Sequence, residues 1–296
     1  MQHEHEHPVS LGKPRWLRRK LPSGPQYEAM RRLLKKSCLT TVCQEAQCPN
    51  QFECYSKGTA TFMILGDKCT RNCTFCAVGH GPEGQPDADE PERVAEAVQT
   101  LGLNYAVITS VTRDDLVDGG AGHFVATIEA VRRRCPGTLI EVLIPDLQGN
   151  REALRSLLAA QPDVVNHNME TVPRLYSSVR PQAIYERSLE LLGKVKEVQG
   201  DMVTKSGIML GLGEHEEELF KVMDDLIAQG CDILTLGQYL QPSKAHVSIK
   251  KFVPPEVFAA FEQQALHKGF KGVASGPSVR SSYKAGNLYH SVVGKK

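Results

Sequence analysis

The sequence lacks any hydrophobic run long enough to span a bilayer. Its longest apolar stretches have the length of a strand, well short of the roughly 20 residues of a transmembrane helix. Residues 1–10 contain no apolar core of the kind that a signal peptide needs. We therefore expect a soluble, cytoplasmic protein.

The sequence also has almost no excess charge of either sign. Its 35 lysines and arginines nearly balance its 34 aspartates and glutamates, and the formal net charge is +1. Such a chain has no general field that would attract nucleic acid or an anionic membrane. We expect a small molecule or a protein as the partner, and neither nucleic acid nor a membrane.

Cysteine, by contrast, is plentiful, with nine residues in a chain of 296. The number is odd, and a chain of this length can form a core without cross-links, so disulfides are not needed. Six of the nine lie between positions 43 and 76. In a reducing compartment this crowding indicates metal ligation. The alternating histidines and glutamates of residues 2–7 are more typical of a terminal tail than of a metal site.

From Thr61 onward, short apolar segments alternate with amphipathic ones. The predicted strands are Thr61 to Gly66, Tyr105 to Val111, Leu139 to Pro145, Asp163 to Met169, Val203 to Leu210 and Asp232 to Leu240. The predicted helices include Pro91 to Leu101, His123 to Arg134, Arg151 to Ala160, Tyr185 to Val198 and Glu216 to Gln229. This order predicts an α/β fold, a partial (open) β/α barrel of about six strand-helix units, with the active site at the carboxyl ends of its strands.

The chain divides into three regions. Residues 1–58 form an N-terminal extension with a predicted helix at Tyr27 to Ser37 and a cysteine-rich loop. Residues 59–274 form the partial barrel. Residues 275–296 form a C-terminal segment, whose turn-rich start predicts a loop on the surface or at the mouth of a site.

Three of the cysteines, Cys69, Cys73 and Cys76, form a C-x3-C-x2-C motif directly after the first barrel strand. Three such thiolates can bind three irons of a 4Fe-4S cube and leave the fourth iron without a protein ligand. Zinc is the alternative, but structural zinc normally takes four ligands from paired motifs. The motif therefore favours a cluster with an open iron.

A second group, Cys43, Cys48 and Cys54, forms C-x4-C-x5-C in the extension. These three could be inert buried or surface thiols. Three inert cysteines within twelve residues would be unusual, and a second cluster is favoured.

The first motif, with the aromatic Phe75 before its last cysteine, resembles the signature of the radical S-adenosylmethionine (SAM) superfamily. The two motifs in this order resemble the lipoyl synthase family, and the resemblance extends over nearly the whole chain. Other matching segments are residues 13–18, 59–66, 109–116, 166–172, 205–214, 241–243 and 280–283.

This resemblance implies a radical SAM sulfurtransferase that inserts two sulfur atoms at the sixth and eighth carbons of an octanoyl chain on a lysine of a carrier protein. It implies two 4Fe-4S clusters and two molecules of SAM per product, with the auxiliary cluster supplying the sulfur. The implied partners are an octanoylated carrier, either glycine cleavage H protein or an E2 lipoyl domain, and an electron donor such as ferredoxin or flavodoxin.

The resemblance also implies that a serine of the Arg-Ser-Ser-Tyr segment is the fourth ligand of the auxiliary cluster. The implied residue is Ser281, with Ser282 as the adjacent possibility. A serine oxygen matches a soft iron site poorly. Weak ligation would let one iron leave and expose sulfide to the substrate radical.

The candidate SAM-binding residues, besides Phe75, are Thr109, Ser110, Asn168, Glu170 and Arg180. Asn168 and Glu170 are two residues apart at a strand end, so their side chains should point the same way. They could hold the methionyl or ribose part of SAM, or bond to the loops. Arg180 could pair with the methionyl carboxylate or form a surface salt bridge.

Several other patterns are also open to interpretation. The superfamily often has a Gly-Gly-Glu segment after the second strand, and residues 118–121 are the nearest equivalent here. Residues 211–214, Gly-Leu-Gly-Glu, resemble a phosphate loop weakly and are more consistent with close approach of backbone to the adenosyl group. His167 is expected to be a satisfied core residue.

The cations of the first helix have two interpretations. They could form a solvated face or bind an acidic carrier domain. They are Arg31, Arg32, Lys35 and Lys36.

Two other functions fit parts of the sequence. Another two-cluster radical enzyme could thiolate a small molecule or a nucleic-acid base, but no basic surface or added module for nucleic acid is evident. A zinc-binding or iron-storage protein is the non-enzymatic alternative.

Overall fold

The computed structural model describes residues 12–17, 24–81 and 84–294. The histidine-rich residues 2–7 lie outside these ranges, so the interpretation of that tail stays a prediction. Within the described ranges, every helix is too short or too polar to cross a lipid bilayer.

The described residues contain ten strands and eleven α-helices. The strands are β1 Thr40–Thr41, β2 Thr61–Ile64, β3 Lys68–Cys69, β4 Gly79–His80, β5 Tyr105–Ser110, β6 Leu139–Leu143, β7 Val164–Asn166, β8 Val203–Leu210, β9 Ile233–Gln238 and β10 Gly272–Gly276. The helices are α1 Pro25–Lys36, α2 Val42–Glu45, α3 Gln51–Ser56, α4 Glu90–Thr100, α5 Ala121–Arg134, α6 Arg151–Ala159, α7 Tyr176–Val179, α8 Tyr185–Val198, α9 Glu216–Ala228, α10 Pro255–Lys268 and α11 Ala285–Val293. Short 3₁₀ turns lie at Arg15–Leu17, Leu147–Gly149 and Pro173–Leu175.

Eight strands form one sheet in the order β1-β2-β5-β6-β7-β8-β9-β10. All neighbours from β2 to β10 are parallel, and β1 alone pairs antiparallel, with Thr40 opposite Met63. Helices connect the parallel strands and, in a barrel, lie on its outer face, and the sheet's strands from β2 to β9 are almost continuously buried. This is the predicted α/β partial barrel, and the carboxyl ends of its strands meet at one mouth.

The six predicted strands are all present, and β8 and α8 have the predicted bounds. The other predicted elements differ by up to three residues at their ends. A seventh parallel strand, β10, was not predicted. Its sequence, Gly-Val-Ala-Ser-Gly, has small residues in place of the β-branched pattern, and it forms a strand because it pairs with β9 along its whole length.

The loop predicted at the turn-rich start of the C-terminal region is present, but the region as a whole is not a loop. It begins within β10 and ends in α11, and only residues 277–284 between them form a loop. Helix α11 packs from β10 to β5, because Gly272 lies against Val292 and Gly286 lies against the ring of Tyr105. A side chain at either glycine would overlap these neighbours or press tightly on them, so the helix can lie close to the barrel. Both ends of residues 277–284 are therefore fixed to the barrel.

A buried polar layer crosses the middle of the sheet. Lys205 Nζ donates to Glu141 at 2.9 Å, and both side chains are about 1% exposed. Asn166 and Tyr105 donate to the same carboxylate at 3.0 and 2.6 Å. The charges are thus paired and bonded, which a buried ion pair requires.

Candidate functional site

The barrel cysteine loop, residues 69–76, begins where β3 follows β2 at the mouth. The loop after β5 holds its start. Thr70 donates its backbone N–H and its hydroxyl to the carbonyl of Thr112, at 3.0 and 2.9 Å. The Thr70 hydroxyl in turn accepts from the backbone of Asp114 at 3.0 Å. The start of the cysteine loop is therefore bonded directly to the loop after β5.

Arg71, between the first two cysteines, is fixed by two carboxylates. Its guanidinium donates to both oxygens of Asp114, at 2.6 and 2.9 Å, and to Asp146 at 2.5 Å. Burial opposes ionisation of Asp146, but the hydrogen bonds and charge of Arg71 hold the pKa of this carboxyl below its ordinary value. Arg71 thus joins the cysteine loop to the ends of both β5 and β6.

The remainder of the cysteine loop is bonded to two other segments of the mouth. Thr74 donates its N–H to the carbonyl of Val179 at 2.9 Å, and its own carbonyl accepts from Val247 at 3.0 Å. The carbonyl of Cys76 lies 3.0 Å from Nε2 of His246. Neither the arginine–aspartate contacts nor His246 was predicted, because these partners are far apart in the sequence.

The sulfurs of this loop have an environment suited to a cluster. Cys69 Sγ accepts backbone N–H bonds from Arg71 at 3.4 Å and Thr112 at 3.3 Å. Burial raises the pKa of Cys73 to about 11 and that of Cys76 to about 12, and the neighbouring cysteines add to both shifts. Three crowded thiolates therefore need positive charge beside them, which iron supplies.

No three Cys, His, Asp or Glu side chains in the described ranges converge on a point as the ligands of one ion do. A cube presents a different iron to each thiolate, so its ligands lie around the cluster and not around a single point.

Next to these cysteines lie Asn168 and Glu170, whose side chains point the same way as predicted. Asn168 Nδ2 donates to Glu170 Oε1 at 3.0 Å. Glu170 has a left-handed backbone, with φ of 65°, and burial raises the pKa of its carboxyl. Asn168 Oδ1 is buried without a hydrogen-bond partner. A buried orphan acceptor in a site mouth indicates a ligand that supplies the donor.

Arg180 is buried, so the alternative of a surface salt bridge is wrong. Its side chain donates to the carbonyls of Asn168 at 2.9 Å and Met169 at 3.1 Å and lies over the ring of Tyr176. Its Nε is buried without a partner. This guanidinium retains a free donor and a positive charge beside Asn168.

The remaining predicted SAM contacts differ in whether their side chains already have a partner within the protein. Ser110 Oγ is buried without a partner, whereas the hydroxyl of Thr109 donates to the carbonyl of Leu143 at 2.9 Å. Phe75 packs against a small apolar cluster of Val179, Leu212 and Tyr239. Ser110 and Phe75 are thus available to a ligand at the mouth, and Thr109 joins two strands.

Two glycine patterns have structural roles. Asp118 accepts from the N–H groups of Gly120 and Gly122, at 2.9 and 2.7 Å, so residues 118–120 form the turn that leads into α5. In residues 211–214, the Glu214 carboxylate accepts from the N–H groups of Gly211 and Leu212, at 2.6 and 2.9 Å. Those donors are occupied, and a side chain at Gly211 would overlap Gln238 and Lys251. Glycine at position 211 therefore allows the backbone to pack closely against Gln238 and Lys251.

His167 is confirmed as a satisfied core residue. Its Nδ1 lies 2.8 Å from the carbonyl of Ile144, and its Nε2 lies 2.9 Å from the hydroxyl of Ser188. Burial, followed by the charge of Arg180, lowers the pKa of His167 to about 4. It is therefore a neutral structural residue near pH 7.

The second cysteine group lies on two short helices of the extension, in residues 43–54, which we call the auxiliary segment. Cys43 is in α2, Cys54 is in α3, and Cys48 lies between them, with its N–H bonded to the carbonyl of Cys43. Burial raises the pKa of Cys43 to about 12 and that of Cys54 to about 11, and Cys48 adds to both shifts. The three thiols therefore form a second group, with the same need for positive charge.

The C-terminal loop, residues 277–284, joins the auxiliary segment to the SAM-contact candidates. Asn50 Nδ2 donates to the carbonyl of Ser278 at 2.7 Å, and the Tyr283 hydroxyl donates to Glu53 Oε1 at 3.0 Å. Between these two anchors, Ser281 Oγ lies 3.5 Å from Asn168 Nδ2. The loop that carries Ser281 thus contacts both the auxiliary segment and Asn168.

Comparison with known proteins agrees with this geometry. The model of the Radical SAM superfamily matches residues 63–226. A lipoyl synthase of Desulfotalea psychrophila is 64% identical over 287 residues, which cover 97% of this chain and 96% of that protein. The chain belongs to the lipoyl synthase family of radical SAM enzymes.

Other lipoyl synthases show the same extent of similarity. That of Thermus thermophilus is 52% identical over 284 residues, covering 95% of this chain and 88% of the relative. A chain of this family is a radical SAM sulfurtransferase, with a 4Fe-4S cluster and SAM.

Solved structures support the fold alone. The hydrogenase maturase HydG aligns with a TM-score of 0.59 at 16% identity, over 78% of this chain and 54% of that one. Coproporphyrinogen III oxidase from Escherichia coli aligns with a TM-score of 0.53 at 12% identity, over 76% and 57%. Proteins with other functions therefore share the fold of this chain.

Proposed function

We propose that this lipoyl synthase family member inserts two sulfur atoms at the sixth and eighth carbons of an octanoyl chain on a lysine of a carrier protein. Two molecules of SAM are consumed per product, and the auxiliary 4Fe-4S cluster is the sulfur-donating substrate. The observation that carries this proposal is the C-terminal loop, which bonds to the auxiliary segment and also reaches Asn168.

The first centre comprises Cys69, Cys73 and Cys76. When bound there, the cluster supplies the electron that splits the sulfonium of SAM and so starts the radical chemistry. The N–H groups that point at Cys69 stabilise negative charge on its sulfur. The bonds from Thr70 and Arg71 to neighbouring loops hold the three sulfurs in place.

We assign SAM to the buried groups beside this loop. Arg180 Nε and its charge suit the methionyl carboxylate, and Asn168 Oδ1 suits a donor such as the methionyl amine or a ribose hydroxyl. Glu170 orients the Asn168 amide through their 3.0 Å bond. Ser110 and Phe75 complete the candidate contacts, and Thr109 supports them through its bond between strands.

The second centre comprises Cys43, Cys48, Cys54 and Ser281. A serine oxygen would be a weaker ligand to iron than a thiolate, so an iron bound to Ser281 would be the one held least firmly. A carbon radical must meet sulfur within bonding reach before it meets another reactant. Placement of Ser281 beside Asn168 supports such proximity between the radical source and the sulfur donor.

The carrier is an octanoylated protein domain, either glycine cleavage H protein or an E2 lipoyl domain. A ferredoxin or flavodoxin supplies electrons. Both partners follow from the family relationship and from the need for a protein-bound substrate and a low-potential donor.

Anaerobic reconstitution followed by turnover tests this function. We expect about eight irons per chain with matching sulfide, as two cubes require. With dithionite and SAM, the enzyme should release 5′-deoxyadenosine and add two sulfur atoms to an octanoylated carrier, read by mass spectrometry. Tight zinc without iron would contradict the enzyme, and thiolation of a free small molecule or a nucleic-acid base would contradict the substrate.

Ser281→Cys is the sharpest variant for the second centre. A thiolate ligand should keep the auxiliary cluster but suppress sulfur insertion, while 5′-deoxyadenosine is still released. Full sulfur insertion by this variant would contradict the role of Ser281, and the same change at Ser282 is the matched control.

A further inference from the structure

A hydrogen bond between Tyr283 and Glu53 connects the two segments that carry the proposed ligands of the auxiliary cluster. Tyr283 follows the serines directly, and Glu53 precedes the cluster cysteine Cys54. The phenol oxygen and carboxylate oxygen are 3.0 Å apart, although the residues are 230 positions apart in sequence. This bond therefore joins the segment of the oxygen ligand to the segment of the sulfur ligands.

Both ends of the C-terminal loop are fixed by the barrel. Before it, β10 pairs with β9 up to Gly276, and after it, α11 packs against Tyr105 through Gly286. The hydrogen bonds between the C-terminal loop and the auxiliary segment therefore set where the middle of the loop lies relative to the extension. Two of these bonds are those of Asn50 to Ser278 and of Tyr283 to Glu53.

The carboxylate of Glu53 is oriented by a second hydrogen bond. Lys57, one turn later in sequence, donates to the same oxygen of Glu53 at 2.8 Å. A bond from a neutral hydroxyl to an ionised carboxylate is stronger than a bond between neutral groups. The ring of Tyr283 also lies 5.1 Å from the ammonium of Lys284. Tyr283 is therefore oriented from both sides.

The loop also lies directly on the barrel beneath it. A side chain at Gly237 of β9 would overlap the carbonyl oxygen of Val279, which lies two residues before Ser281. Glycine at this position lets the loop approach the strand. The loop is thus located by a close backbone contact on one side and by Tyr283 and Asn50 on the other.

We propose that Tyr283 and Glu53 are positioning residues for the sulfur donor, and that their hydrogen bond holds Ser281 against the auxiliary cluster until sulfur is needed. The proposal rests on Ser281 as a ligand, the assignment made under the proposed function. Without the bond, the serine oxygen leaves its iron more often, and that iron is lost sooner.

Loss of the serine-bound iron can be measured directly in the full-length chain. Cys69, Cys73 and Cys76 are replaced by alanine, so that reconstitution fills the auxiliary centre alone. Limited ferricyanide removes one electron from the cube, one ferrous ion then leaves, and the resulting 3Fe-4S cluster is counted by its EPR signal. The rate of signal growth reports how firmly the fourth ligand holds its iron.

In this background, Tyr283→Phe removes one oxygen atom and should speed iron loss about ten-fold, the effect of losing one hydrogen bond to a charged group. Gly237→Ala, which displaces the loop at Val279, should also speed it. Tyr289→Phe, a matched change on α11 outside the loop, should leave the rate unchanged.

Ser281→Ala separates the two possible failures. If Ser281→Ala speeds iron loss but Tyr283→Phe and Gly237→Ala do not, the serine ligand stands and the positioning role is refuted. If Ser281→Ala leaves the rate unchanged, the serine assignment itself is refuted, and the positioning role with it. Unchanged thermal unfolding of apo Tyr283→Phe excludes general destabilisation as the cause.

Discussion

The two cysteine groups are held in very different ways. The barrel cysteine loop is bonded to segments after four different strands, β5, β6, β7 and β9, and contains a buried arginine that two carboxylates fix. The auxiliary segment consists of two short helices outside the barrel, and the C-terminal loop is bonded to it through Asn50 and Glu53. On the proposed function, the centre that is kept through each turnover is the one bonded to the barrel loops, and the centre that gives up its sulfur lies outside the barrel.

Removing one cysteine from each group should separate radical formation from sulfur insertion, which is the largest effect we expect. Cys73→Ala should abolish release of 5′-deoxyadenosine. Cys48→Ala should preserve that release in the presence of octanoylated carrier but abolish sulfur insertion. Chromatography measures the nucleoside, and mass spectrometry measures the sulfur added to the carrier. Loss of both products in both variants would contradict separate roles for the two cysteine groups.

Arg71→Met tests whether the barrel cysteine loop owes its rigidity to the buried ion pairs. The change leaves the fully buried Asp146 carboxylate with Arg187, at 3.6 Å, as its remaining cation. Removing one partner of a buried pair lowers the free energy of unfolding by about 3–5 kcal/mol. Denaturant unfolding of the apo-protein measures this loss.

The matched control for Arg71 is Arg133→Met. Arg133 pairs with Glu92 on the surface and its side chain is 60% exposed. Exposed pairs contribute about 0–1 kcal/mol, so this variant should unfold almost like the parent. Equal losses in the two variants would show that burial of the Arg71 pairs is unimportant.

Gly207→Ala tests the link between the barrel and the SAM contacts. An added methyl group would lie 2.7 Å from Asn168 Oδ1 and 2.8 Å from Thr235 Oγ1, and Asn168 must shift. A shifted Asn168 amide would lose its hydrogen bond to SAM, so we expect SAM to bind about ten-fold more weakly. Equilibrium binding to the reconstituted enzyme measures this.

Iron content should not change in Gly207→Ala, because the methyl group displaces Asn168 and not a cysteine. Gly137→Ala adds the same methyl group where no atom lies within 4 Å and should bind SAM normally. Normal SAM binding by Gly207→Ala would place SAM away from Asn168.

The smallest expected effect concerns the basic face of α1, which packs beside the auxiliary segment through Tyr27 and Phe52. Arg32 and Lys36 are exposed there. Reversing both charges, to glutamate, should lower kcat/KM for an acidic carrier a few-fold at low salt, because surface charge chiefly changes association rates. The same reversal at Arg151 and Arg155 of α6 is the control, and equal effects would assign α1 a merely solvated face.

Local patterns made much of this molecule predictable. The spacing of Cys69, Cys73 and Cys76 is contained in eight residues, and β5 is a run of mostly β-branched and apolar residues, Tyr-Ala-Val-Ile-Thr-Ser. Such features depend on neighbours in sequence, so the strands, the cysteine groups and the barrel could be predicted. The shared direction of the Asn168 and Glu170 side chains could also be predicted, because alternation along an extended chain places residues two apart on the same side.

The contacts that position these residues could not be predicted. Arg71 and Asp146 are 75 positions apart, Cys76 and His246 are 170 apart, and Glu53 and Tyr283 are 230 apart. No local pattern marks such pairs, since they depend on how the sheet brings strand ends together. Strand β10 was missed for a related reason, because pairing with β9 outweighs the weak strand preference of its glycines and serine.

The most direct test of the division between the two centres follows the origin of the sulfur. The apo-enzyme is reconstituted with iron and heavy-isotope sulfide, freed of excess sulfide, and given SAM, dithionite and an octanoylated carrier for a single turnover. Mass spectrometry of the carrier should find both inserted sulfur atoms in the heavy isotope, at the expense of the cluster on Cys43, Cys48, Cys54 and Ser281. Light sulfur in the product, with that cluster intact, would contradict its role as the sulfur donor.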